Sequence, residues 1–214
     1  MEFLKAAIRK NKNNSFEVRR QREWLSVGVC WSVAAWCFAP SRLPTPHPQV
    51  IVCESAPLFL GHATAAALSD SGIMVTVISD AAVFAMMARV DKVLIGCHAV
   101  VANGGLITQS GAHAVAIAAK HHKVPVVCVT GMYKLCPLYP HDQDSINELL
   151  SPTMVLKFEE ADTVGSVSVV NPQFDYVPPK LVDLLVTNLY GLQPSYVYRL
   201  LAEYYDSEDY DLDD

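Results

Sequence analysis

The sequence predicts a doubly wound α/β fold, a mostly parallel sheet with flanking helices. Three observations carry that reading. Short β-branched apolar runs recur from Val50 onward, the kind buried on both faces of a parallel sheet. Helical stretches of small residues alternate with them over connections of a few residues. A loop carrying Asn103-Gly104-Gly105 lies between the strand ending at Gly96 and an alanine-rich helix opened by Gly111. That order of strand, glycine loop and helix builds sites at the carboxyl ends of parallel strands.

Each element follows in turn. Residues 50–53 read as a strand. Residues 54–61 form a loop with Pro57, and 62–70 a helix stopped by Ser71-Gly72. Residues 73–78 are the second strand, and Ser79-Asp80 caps a helix over 81–88. Residues 93–96 are the third strand, 111–122 its crossover helix and 124–130 the fourth strand, with Pro125 at the opening where a missing N–H costs least. Residues 131–152 are a longer loop with a short helix at 144–150. Residues 167–170 are a last strand, and 179–188 and 195–205 are closing helices, the first with proline in its opening turn. Together these elements make a Rossmann-like sheet domain over residues 50–205.

Composition sets bounds. The chain has 214 residues, 51% of them hydrophobic, enough for one domain with a sizeable core. Net charge is −6, and acid gathers in residues 206–214, which read as a solvated tail. No basic patch interrupts the core, so direct nucleic-acid binding has no support. The six cysteines form no C-x-x-C pair; Cys53, Cys97 and Cys128 lie in or beside apolar runs and read as buried free thiols. The spacing of Cys97, His98, His113, His121 and His122 fits no standard zinc ligand set. No metal and no cofactor is expected.

Residues 1–17 look like the end of a basic amphipathic helix, with Phe3, Leu4 and Ile8 on one side. Residues 18–49 break the pattern. They hold all three tryptophans, an apolar run over 24–39 and a proline-rich stretch over 40–48. The apolar run is short for a membrane span and begins too late for a signal peptide, so membrane association is not expected. A third reading fits better. Val18-Arg19 can be encoded as an intron start and Gln49 as an intron end, and removing 18–49 joins Glu17 to Val50 in the continuous strand entry SFEVIVCESAP. The expectation is that 18–49 is intron-derived or disordered, without evolved structure.

Distributed motifs from Val50 to Tyr205 carry a resemblance. They include Cys53-Glu54-Ser55-Ala56-Pro57, Gly61-His62, Thr76-Val77-Ile78-Ser79-Asp80-Ala81-Ala82-Val83-Phe84 and Ala102-Asn103-Gly104-Gly105. The most specific are Lys134-Leu135-Cys136-Pro137-Leu138-Tyr139-Pro140, Asn171-Pro172-Gln173-Phe174-Asp175-Tyr176-Val177-Pro178-Pro179 and Pro194-Ser195-Tyr196-Val197-Tyr198-Arg199-Leu200. This stretch resembles the C-terminal domain of the initiation factor 2B alpha/beta/delta family, in its beta-subunit branch. The resemblance implies a noncatalytic regulatory subunit of the cytosolic guanine-nucleotide exchange factor for translation initiation factor 2. The implied partners are the delta and other subunits of initiation factor 2B and, through the assembled complex, initiation factor 2. Residues 1–17 then read as a remnant of the family's N-terminal helical domain.

The alternative is an enzyme. The same fold family includes sugar-phosphate isomerases of methylthioribose-1-phosphate and ribose-1,5-bisphosphate, whose phosphate loop looks like E-T-R-P-x-x-Q-G-x-R. Here both arginine positions are alanine, Ala56 and Ala63, and a phosphate dianion loses its favoured guanidinium partners. Their aspartate in a G-A-D-R line becomes His98, an Asn-Lys pair becomes Thr108-Gln109, and neither Cys53 nor Cys97 takes the place of their catalytic cysteine. No catalytic residue is therefore assigned. Six residues remain as candidates for a residual pocket or a subunit interface: His62, Asn103, Gly104, Gly105, Asp175 and Tyr176. Asn103-Gly104-Gly105 more often reads simply as a tight turn needing positive φ, and His62 as an ordinary exposed helix-end histidine.

Overall fold

The computed structural model describes residues 23–27, 49–139, 147–160, 165 and 167–206. Its main sheet has seven strands in the order β10-β9-β7-β4-β1-β2-β3. These are β1 (Glu23–Val27), β2 (Gln49–Cys53), β3 (Val75–Ile78), β4 (Lys92–Gly96), β7 (Val126–Val129), β9 (Leu184–Val186) and β10 (Gly191–Leu192). All neighbouring pairs are parallel except β9 with β10. A second, antiparallel sheet holds β5 (Ala99–Val100), β6 (Leu106–Gln109) and β8 (Phe174–Val177) in the order β5-β6-β8. Helices among the described residues include α1 (Leu60–Asp70), α2 (Val83–Met87), α3 (Ala112–His122) and α4 (Val197–Tyr204).

The expected α/β fold with a mostly parallel sheet is what forms. Its core joins Leu25, Ile51, Ile95, Val126 and Leu185 of the sheet to Val115, Ala116 and Ala119 of α3 and to Val197, Leu200 and Leu201 of α4. Alanines on α3 let its axis approach the sheet closely. The helix ends at Lys123, in left-handed conformation, and Val124 N–H bonds back to the carbonyl of Ala119.

Several expectations need correction. Residues 167–170 carry no strand; the strand lies at Phe174–Val177 instead, paired with β6. Residues 179–188 are not a helix. A 3-10 turn over Pro179–Leu181 leads into β9, whose Leu185 is fully buried beside Cys128 in the sheet. A buried apolar triplet fits either state, and only the free edge of β7 decides for a strand. Ser79 does not cap the next helix through its side chain, and a 3-10 turn over Asp80–Ala82 precedes α2. Glu23–Val27, inside the segment expected to lack structure, forms the strand between β2 and β4. The helix read into residues 1–17 lies outside the described residues, as does the acidic tail beyond Asp206. The helix read at 144–150 does so in part; its described end pairs instead, with Leu149 bridged to Pro172.

Candidate functional site at the carboxyl ends of the strands

The chain runs β1, β2, β3 to one edge, then crosses back to β4 and continues outward through β7 and β9. The winding therefore reverses between β1 and β4, and the crevice outside their carboxyl ends is where open α/β sheets bind ligands. The loops after β2, β3, β4 and β7 build its rim.

After β2 the chain turns sharply. Ser55 and Phe59 both sit in the left-handed region, at φ of 59° and 52°. Phe59 N–H bonds to the carbonyl of Ser55 and Gly61 N–H to that of Glu54. Gly61 must be glycine, because a Cβ there would overlap the carbonyl oxygen of Cys53. The turn aims two backbone N–H groups, of Ser55 and Ala56, toward the loop after β3. Both are taken by the carboxylate of Asp80, at 3.1 Å and 2.7 Å. A backbone seat of this kind would suit an anion, and this chain fills it with its own side chain. His62 opens α1 as an exposed ring stacked on Phe59 at 5.3 Å.

Cys53, Cys97 and Cys128 are buried, as expected, and Cys136 is half-buried. Burial, followed by the charges of Asp80 and Glu54, pushes the Cys53 thiol up to about 12, so it stays protonated. Cys97 and Cys128 act as a pair. A hydrogen bond from the Cys128 thiol holds Cys97 below the ordinary thiol value, and the same bond, with burial, raises Cys128. Lys134 donates to the carbonyl of Cys97 at 2.7 Å. His98 is exposed and packs its ring on Phe174 at 4.7 Å.

A second backbone seat lies at the start of α3. Asp175 Oδ2 accepts the N–H groups of Gly111 at 3.1 Å and His113 at 3.0 Å, capping the helix from β8. Next to it, Asn103 Oδ1 accepts Gly105 N–H at 2.8 Å while its Nδ2 donates to Tyr176 Oη at 2.9 Å. Gly104 has φ of +81°, and a Cβ there would overlap the carbonyl oxygen of Pro194. Asn103, Gly104, Gly105 and Tyr176 therefore meet in one clamped turn, with Asp175 one residue away on β8. His62 stands apart from them on α1. The sequence pattern makes Asp80 a helix cap; its reach across to the β2 loop spans 24 to 25 residues, and no local pattern announces such a bond.

A protein-family model described as the initiation factor 2 subunit family matches residues 32–194. The chain belongs to that family. It is 58% identical over 161 residues to translation initiation factor eIF2B subunit beta of Dictyostelium discoideum, covering 75% of this chain and 42% of that protein. Against the subunit of the same name from Schizosaccharomyces pombe, identity is 51% over 163 residues, with the same shares of the two chains. A ribose 1,5-bisphosphate isomerase from Pyrococcus furiosus is 35% identical over 156 residues, covering 72% of this chain and 48% of that enzyme. The crystal structure of eIF2B beta from Chaetomium thermophilum shares the fold, with a TM-score of 0.65 at 23% identity over 96% of this chain and 53% of that one. The chain thus spans about two fifths of the length of these eIF2B relatives, and the family holds both translation factors and isomerases.

Proposed function

We propose that this chain is a noncatalytic regulatory subunit domain of the guanine-nucleotide exchange factor for translation initiation factor 2, working in the cytosol by subunit assembly. The observation that carries this reading is the contrast in similarity along one stretch: 58% to an eIF2B beta subunit against 35% to an isomerase. The chemistry of the rim supports it. Ala56 and Ala63 offer no cation, the N–H groups of Ser55 and Ala56 are bonded to Asp80, and those of Gly111 and His113 to Asp175. Incoming phosphate would have to displace two carboxylates and would find no guanidinium in return.

In this reading, residues 50–205 hold the assembling surface, the delta subunit is the first partner, and the clamped turn at Asn103–Gly105 with Asp175 and Tyr176 stiffens one face of it. Among the described residues no helix is long and apolar enough to cross a membrane. The test is affinity purification of the tagged full chain from cells, with identification of what it retains. Recovery of initiation factor 2B subunits, delta among them, is expected. Turnover of methylthioribose-1-phosphate or ribose-1,5-bisphosphate by the purified chain, or recovery without those subunits, would overturn the reading.

A further inference from the structure

The carboxyl ends of β4 and β7 carry two thiols that the proposed function leaves unused. Ile95 of β4 registers against Cys128 of β7, and Gly96 against Val129. Cys97 therefore follows β4 opposite Thr130. Side chains alternate across a strand and paired residues share a face, so Cys97, Cys128 and Thr130 lie on one side of the sheet. Cys97 and Cys128 belong to the same core cluster. Cys128 is fully buried, while Cys97 keeps 6% of its surface exposed. Lys134 closes the group from the loop after β7, through its 2.7 Å bond to the Cys97 carbonyl. We infer that Cys97 and Cys128 are a peroxide-sensitive dithiol, in which Cys97 is oxidised first and Cys128 then closes a reversible disulfide.

Position and environment separate the two roles. Only Cys97 offers an oxidant any surface. The hydrogen bond from the Cys128 thiol favours the Cys97 thiolate most; burial opposes it, and Thr130 and the Lys134 charge add to it. That thiolate takes one oxygen from hydrogen peroxide as the O–O bond breaks, giving a sulfenic acid and hydroxide. The hydroxide recovers the proton that Cys97 gave up. The Cys128 sulfur then attacks the Cys97 sulfur, the S–O bond breaks, and the departing hydroxyl leaves as water with the Cys128 proton. Two thiols lose two electrons and the peroxide becomes two waters. The span is within reach. Diagonal neighbours in a regular ladder stand about 7–8 Å apart at Cα, against about 4.4–6.8 Å across a disulfide, so a shift of about 1–2 Å suffices. It falls at Cys97, just beyond the last residue of β4 and outside the ladder. The bond ties the loop after β4 to β7 at the mouth of the crevice. None of these steps depends on the regulatory reading.

Peptide mapping by mass spectrometry on the full chain tests the inference. The reduced chain is treated with hydrogen peroxide, the remaining thiols are alkylated, and peptides are mapped without reduction. A peptide pair linking Cys97 to Cys128 is expected, returned to free thiols by dithiothreitol. Cys97 should be consumed at least about 10-fold faster than the half-buried Cys136, although it is the less exposed of the two. Cys128→Ser keeps a hydroxyl donor and removes the closing sulfur. With dimedone present, Cys97 in that variant should collect the sulfenic-acid adduct at least about 10-fold above the parent. Cys97 and Cys128 still free at a dose that fully oxidises cysteine in the same solution would overturn the inference. So would a main product linking Cys97 to another cysteine, or sulfenic acid at Cys97 of the parent with no link to Cys128. If Cys128→Ser does not fold, the map of the parent chain decides alone.

Discussion

Asp80→Ala is the substitution that weighs the self-filled anion seat. Asp80 receives one bond from the buried Ser55 N–H and one from the exposed Ala56 N–H. A hydrogen bond to a charged acceptor contributes about 1.5–3 kcal/mol; the Ser55 bond belongs in that range, and the Ala56 bond, facing water, near half of it. Ser55 is also held in the left-handed region, which costs about 1–2 kcal/mol for a residue with a Cβ, and the Asp80 bond offsets that cost. Truncation should therefore lower stability by about 3 kcal/mol. At about 2–4 °C per kcal/mol for a chain of this size, Tm should fall by about 6–12 °C. Asp80→Asn keeps one acceptor oxygen and turns an NH2 toward the second N–H, so it should lose about 1.5–2 kcal/mol, half or more of the effect. Urea denaturation of the full chain, fitted with a shared m-value, measures both. An Asp80→Ala variant within about 0.5 kcal/mol of the parent, or an Asp80→Asn variant equal to it, would refute the claim that this carboxylate staples the two loops.

Other outcomes follow from the same geometry. The Cys53 thiol titrates near 12 in the fold against an ordinary 9.0, so the unfolded chain releases its proton first. The stability tied to it is intact below pH 9 and falls as pH rises from 9 toward 12, by at most about 1.4 kcal/mol per pH unit; Cys53→Ala should flatten that part of a stability-against-pH curve. Gly61→Ala forces a Cβ into the Cys53 carbonyl, which neither backbone can avoid without moving, and should cost about 3 kcal/mol or prevent soluble expression, as read by yield and denaturation midpoint. Tyr176→Phe removes only the bond from Asn103 and should cost about 1 kcal/mol. Asp175→Ala uncaps α3 and should cost about 1–2 kcal/mol, with hydrogen exchange accelerating first at residues 111–115.

The alternation of β-branched runs with small-residue helices determined the α/β class and, within a residue or two, β2, β4, α1 and α3, because periodicity and local stops act over a few neighbours. The motif lines at Ala56, Ala63 and His98 supply one ground for the noncatalytic reading proposed above, since the absence of a cation there is visible residue by residue. Tertiary structure decided the rest. Leu184-Leu185-Val186 became a strand only because β7 offered an unpaired edge, and Glu23–Val27 became one only because β2 and β4 stand one strand apart. Asp80 and Asp175 look like ordinary loop acids in the sequence. Their work lies across 24 to 25 and 62 to 64 residues of chain, where only folding brings a carboxylate to a waiting N–H.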